Sequence, residues 1–184
     1  TQWVAASPQP APPPLGPQPA LVLVQTLAAT GAASVAFVLP GGYKRYRLMF
    51  DGLTGTGVPV VQTSADGGTT WRTASNYAYA GLYNTSSAAT PGGAAGAGVG
   101  LPIFIAAALE TLLAGTSLAG EIILTDPTKA FASQLFDVCF QTTSGVYGFR
   151  GAARWVGDAN PYTAIRFQAT TITGGSFSLY GITS

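Results

Sequence analysis

Residues 43–71, YKRYRLMFDGLTGTGVPVVQTSADGGTTW, constrain the chain more than any other stretch. In 45–51 the apolar residues Tyr46, Leu48 and Phe50 alternate with Arg45, Arg47 and Asp51, and Met49 falls on the charged side. A period of two puts each set on its own face of a strand, one buried and one not. The glycines of 52–57 are expected to turn the chain, and Val58 to Thr63 to form a second strand. The octet from Ser64 to Trp71 then reads as a tight hairpin. Asp66 can accept hydrogen bonds from turn amides. Gly67 and Gly68 can take the positive φ that a tight turn needs. Trp71 can fold back as an apolar lid.

The same punctuation runs through the rest of the chain. Leu21 to Leu27 and Ser34 to Leu39 read as strands, closed by Pro40-Gly41-Gly42. Residues 75–83 form a strand in which Tyr77 and Tyr79 share a face. Ser86 to Gly100, SSAATPGGAAGAGVG, reads as a small-residue loop. Leu101 to Ile105 is strand-like, and 106–114 is the only helix-like stretch, with Gly115 as its cap. Strands follow at 120–127, 131–142 and 146–156, then a loop at 157–161. The last stretch reads as a hairpin, 162–171 and 176–182, around Thr173-Gly174-Gly175. About ten short strands with turns between them predict an all-β fold. The expected form is a single antiparallel β-sandwich, jelly-roll-like, over 20–184. Residues 1–19 stand apart as a Pro-rich extended arm, with prolines at 8, 10, 12, 13, 14, 17 and 19. Trp3, Pro12, Pro13 and Pro14 are candidates for anchoring it to a particle or a neighbouring subunit; the alternative is a plain linker.

Only 8% of the 184 residues are charged and 47% are hydrophobic, against roughly 25% charged in ordinary soluble proteins. A surface so poor in charge is expected to be covered, by subunit packing or by docking on a larger assembly. The net charge of +1 carries no footprint for nucleic acid. There is no histidine, which removes His-dependent nucleophile systems and His-based metal sites. Cys139 is the single cysteine and lies in the apolar run FDVCF, so a buried inert thiol is expected. The carboxylates Asp51, Asp66, Glu110, Glu121, Asp126, Asp137 and Asp158 show no acid/base pairing by spacing, and most sit at turns. No calcium loop, nucleophile elbow or complete phosphate loop occurs. No catalytic residue, metal site or cofactor is therefore expected. The longest apolar run, 101–108, is far short of the ~20 residues a membrane span needs.

The octet fits S-x-D-x-G-x-T-W, the Asp-box found in sialidases and in many other β proteins. Ser64, Asp66, Gly68, Thr70 and Trp71 are its structural residues. A sialidase propeller needs several four-stranded blades, more than 184 residues supply, so a glycosidase is the least favoured function. Tyr77, Tyr79, Tyr83, Trp155 and Tyr162 are candidates for stacking on sugar rings, with sheet packing as the alternative use. A stand-alone carbohydrate-binding module is the second functional reading.

A broader resemblance rests on YKRYRLMFDGL at 43–53, the octet, Ala164-Ile165-Arg166-Phe167, and Gly174-Gly175-Ser176-Phe177-Ser178-Leu179-Tyr180-Gly181-Ile182. In this order, over roughly residues 35 to 184, the chain resembles small virion proteins of tailed bacteriophages, prophages and phage-like gene transfer agents. The resemblance implies a fibre, spike or decoration protein. Such a protein is non-enzymatic, is made in the bacterial cytoplasm and is carried on the virion surface. It implies a homo-oligomer, a trimer being favoured; the N-terminal arm lies outside the resemblance and is expected, from its own residues, to contact other virion proteins. It also implies contact with host surface polysaccharide.

Overall fold

The computed structural model describes residues 20–85, 92–98, 100–102, 116–130, 132–142 and 145–183. The strands are β1 (Leu21–Ala28), β2 (Ala32–Val38), β3 (Arg45–Thr56), β4 (Val60–Ser64), β5 (Tyr77–Thr85) and β6 (Gly92–Gly98). They continue with β7 (Leu101–Pro102), β8 (Ser117–Thr125), β9 (Ser133–Thr142), β10 (Gly145–Trp155) and β11 (Ala164–Ile182). The protein is all-β and antiparallel, as the alternation predicts. The arm at 1–19 and the expected helix at 106–114 lie outside the described residues.

Strand β11, 19 residues long, organises the rest. β1 and then β2 run along one side of it, from Leu21 opposite Ile182 to Val38 opposite Ala164. β3 and then β4 run along the other, from Arg45 opposite Ile182 to Ser64 opposite Ala164. Beyond β3 the sheet widens in the order β8, β9, β10, β5, β6; β7 pairs with β4.

Both flanking ribbons break where β11 is irregular, between Gln168 and Ser176. There β11 bends, and the two ends of its buried face close on each other. Phe167 and Phe177 lie 5.2 Å apart, ring centroid to centroid. Phe50 on β3 touches both rings, and Phe37 on β2 touches Phe177. This aromatic group is almost wholly buried.

The sequence expectation of a closing hairpin at 173–175 is corrected: Thr173-Gly174-Gly175 is a bulge inside one strand. Gly175 has φ +100°, and a Cβ there would lie 2.7 Å from the Asp51 carbonyl oxygen. The glycine gives a bend rather than a reversal because both edges of β11 are already paired. The expected turn at 52–57 is corrected in the same way. Gly52 (φ +60°) bulges β3, which runs on to Thr56.

The low-complexity stretch also differs from its reading as a loop. Residues 92–98 form β6, paired with β5 from Tyr77 opposite Gly98 to Tyr83 opposite Gly92. Here glycine makes room: a Cβ on Gly96 would meet the Tyr79 hydroxyl at 2.6 Å. Cys139 is exposed, not buried. Val138 and Phe140 take the core side of β9, so the residue between them points outward.

Candidate functional site

The Asp-box loop is a cap on β4 and not the tip of a two-stranded ladder. After it the chain leaves to β5, which pairs with β10 and β6. One backbone bond, from Arg72 N–H to the Thr63 carbonyl at 3.0 Å, closes the loop. Inside it, the Ser64 hydroxyl donates to Asp66 Oδ1 at 2.6 Å and accepts from the N–H groups of Asp66 and Gly68. The Asp66 carboxylate accepts from the Thr70 N–H and hydroxyl. These donors, Ser64 first, hold the Asp66 carboxyl down to about 2. Gly67 donates to Thr163 Oγ1 at 2.8 Å, which ties the loop to the entry of β11. The Trp71 ring sits against Gly68, where a Cβ would lie 3.2 Å from it. The Arg166 guanidinium lies 4.6 Å from the centre of that ring and bonds Gln62 Oε1. Ser64, Asp66, Gly68, Thr70 and Trp71 thus all make contacts within the loop.

Behind the loop lies a group that the sequence did not reveal. Arg72 is 8% exposed. Its NH2 donates to Asp158 Oδ1 at 2.6 Å and to the Asn160 carbonyl at 3.0 Å. Its guanidinium carbon lies 5.5 Å from the Trp155 ring and 5.0 Å from the Tyr162 ring. Trp155 Nε1 donates to the other oxygen of Asp158 at 2.9 Å. Burial acts to raise the Asp158 carboxyl. The Asn160 N–H, Trp155 and Arg72 outweigh it and hold the group below its ordinary range. Tyr77 packs on Trp155 at 4.9 Å, and its hydroxyl accepts from the Thr63 N–H at 2.7 Å. Burial pushes that phenol up to about 12. The Tyr162 hydroxyl, also raised by burial, donates to the Ala132 carbonyl and accepts from Trp155 N–H.

These contacts correct the sugar-stacking expectation. Tyr77 (0% exposed), Trp155 (6%) and Tyr162 (4%) enclose a buried cation and present no ring to solvent. Tyr79 and Tyr83 are half-buried against the core. The five rings do not form a platform. Trp3, Pro12, Pro13 and Pro14 lie outside the described residues.

The surface with most scope for function is the outer face of the wide sheet. Register extends its side chains into continuous rows. One row is Leu23, Tyr180, Arg47, Ile123, Leu135, Ala152, Ala80 and Ala95, from β1 to β6. Arg47 is its single charge. The adjacent row is Thr26, Ser178, Met49, Glu121, Asp137, Arg150, Leu82 and Gly93. Glu121 and Asp137 stand directly opposite each other, which costs stability for like charges. Arg47 pairs with Glu121 and Arg150 with Asp137, offsetting that repulsion. Each of the two carboxylates is thus paired with an arginine on the sheet face. Among the described residues, no group of three or more His, Cys, Asp or Glu side chains could hold a metal ion.

Comparison with protein-family models, with curated proteins and with solved structures finds no match.

Proposed function

We propose that this chain is a non-enzymatic structural component on the outside of a phage-like particle: a fibre, spike or decoration protein that works as a homo-oligomer. The observation that carries this is the outer face. A row of side chains crosses it from β1 to β6 with one charge, Arg47, and leaves Leu23 and Leu135 exposed. An apolar stripe of that extent fits a face made for protein contact better than one made for water. The carboxylates agree with a structural role. Asp66, Glu121, Asp137 and Asp158 each bond donors of the chain itself. In this proposal the folded-over sheet is a β-sandwich of jelly-roll type, and the Pro-rich segment reaches other proteins of the particle.

The test is to image particles released by cells that produce this chain, with an antibody against residues 20–184 as the marker. Regularly placed copies on capsid or tail are the expected result. Particles that form normally and carry no copy would remove the proposal.

A further inference from the structure

We infer that β1 pairs, edge to edge and antiparallel, with β1 of a second copy of this chain about a two-fold axis, so that the wide sheet continues through both copies. Among the described residues, β1 has β11 on one side and nothing on the other. Its free edge therefore presents unpaired N–H and C=O groups, a template for another strand. Natural edges of this kind carry lysines, other charges or proline as a guard. This one carries none: no Asp, Glu, Lys or Arg precedes Lys44, and no proline lies between Pro19 and Pro40. Leu21, Val22 and Leu23 are exposed along it, Leu23 by 56%.

The strand is complementary to itself. Leu21, Leu23, Thr26 and Ala28 lie on the outer side, opposite Ile182, Tyr180, Ser178 and Ser176. Val22 and Leu27 lie on the core side, and Val24–Gln25 is a bulge. Placing the axis at that bulge pairs Leu21 with Ala28, Val22 with Leu27 and Leu23 with Thr26. Outer residues then meet outer residues and core-side residues meet core-side residues along the whole strand. Val22, 38% exposed in the single chain, is covered by the other copy's Leu27. Other occupants fit less well. The chain's own residues 8–19 are mostly proline and lack donors for a ladder. A charged partner finds nothing to pair with. The far edge, β6, offers only glycine and alanine, and a β1–β6 joint would not close but grow into a filament.

The edge pairing does not depend on the particle role, and the purified full chain tests it. Sedimentation at micromolar concentration is expected to show a closed dimer, with the β1 amides that face away from β11 protected from hydrogen exchange. Leu23→Lys places a charge at the joint and should give a monomer with an unchanged circular-dichroism spectrum, in which the β1 amides facing away from β11 exchange. Leu82→Lys alters an equally exposed site, 63%, far from the edge, and should remain dimeric. Thr26→Lys repeats the test should Leu23→Lys fail to fold. A monomeric wild type, a trimer, an open polymer, or a dimer that survives both edge lysines would overturn the inference.

Discussion

Phe167 and Phe177 are ten residues apart on one β-strand, yet their ring centroids lie 5.2 Å from each other. An extended strand would separate them by roughly 33 Å. The bend that closes this gap sits at Gly174–Gly175, where the register with β3 shifts. It folds the sheet over a single aromatic core, and it makes β11 the common member of both flanking ribbons.

Gly175→Ala therefore strikes the corner of the fold. The residue has φ +100°, and its new Cβ would press on the Asp51 carbonyl. A loss of about 2 kcal/mol is expected from the left-handed conformation alone. Urea unfolding should show a lower midpoint with an unchanged slope. Phe177→Ala should cost more, about 3–5 kcal/mol, because it empties the closed core.

Asp158→Asn should leave Arg72 buried without its counter-charge. Its carboxylate is about a third exposed, 36%, so the cost is expected to fall between those of exposed and fully buried pairs, about 2 kcal/mol. A double-mutant cycle with Arg72→Met isolates the pair, and Trp155 fluorescence reports its surroundings. Additive losses in the cycle would mean that the two side chains do not act together.

Acid should expose the role of the Asp-box. The Asp66 carboxyl sits at about 2 when folded, against an ordinary 3.8, chiefly through the Ser64 hydroxyl. The proton thus binds the unfolded chain first. The contribution is complete above 3.8 and is lost as pH falls through that value toward about 2. Thermal midpoints of wild type and Asp66→Asn should converge over this window. A constant difference between them would contradict the assignment.

Alkali should act on the aromatic cluster with the opposite sign. The Tyr77 phenol is raised by burial to about 12 from 10.0. Its contribution is complete below 10.0 and is lost as pH climbs through the folded value. Phenolate absorbance should show a late-titrating class that disappears on unfolding. Tyr77→Phe should shrink that class and cost about 1 kcal/mol through the lost bond to Thr63.

Cys139 should react in the native state. It is exposed on the outer face of β9, away from the β1 edge. A thiol reagent is expected to label the single cysteine without unfolding, in dimer and monomer alike. Labelling only after denaturant would show that the outer face, rather than the edge, is covered.

Much of the fold was legible because alternation is local. Tyr46, Leu48 and Phe50 fall on the buried face of β3, as do Ile165, Phe167 and Ala169 on β11. The Asp-box was legible for the same reason, since Ser64, Asp66 and Thr70 bond within four residues of one another. Glycine misled the reading in three places. Gly52, Gly92–Gly98 and Gly174–Gly175 look like turns in one dimension, yet they are a bulge, an edge strand and a corner. A missing Cβ permits all three, and only the neighbouring strands select among them. The sugar-stacking candidates failed for a related reason. Tyr77, Trp155 and Tyr162 gather round Arg72, which lies 5 residues from the first of them in sequence and far from the other two. No spacing announces that contact.

The sequence alone thus determined the β class, the buried face of most strands and the internal chemistry of one loop, because each depends on residues within a few positions. The tertiary structure decided where β11 bends, which edges the described strands leave open and which of their aromatic rings are hidden. These depend on pairings across more than a hundred residues, such as Leu21 with Ile182, and the register that sets them belongs to the folded sheet as a whole.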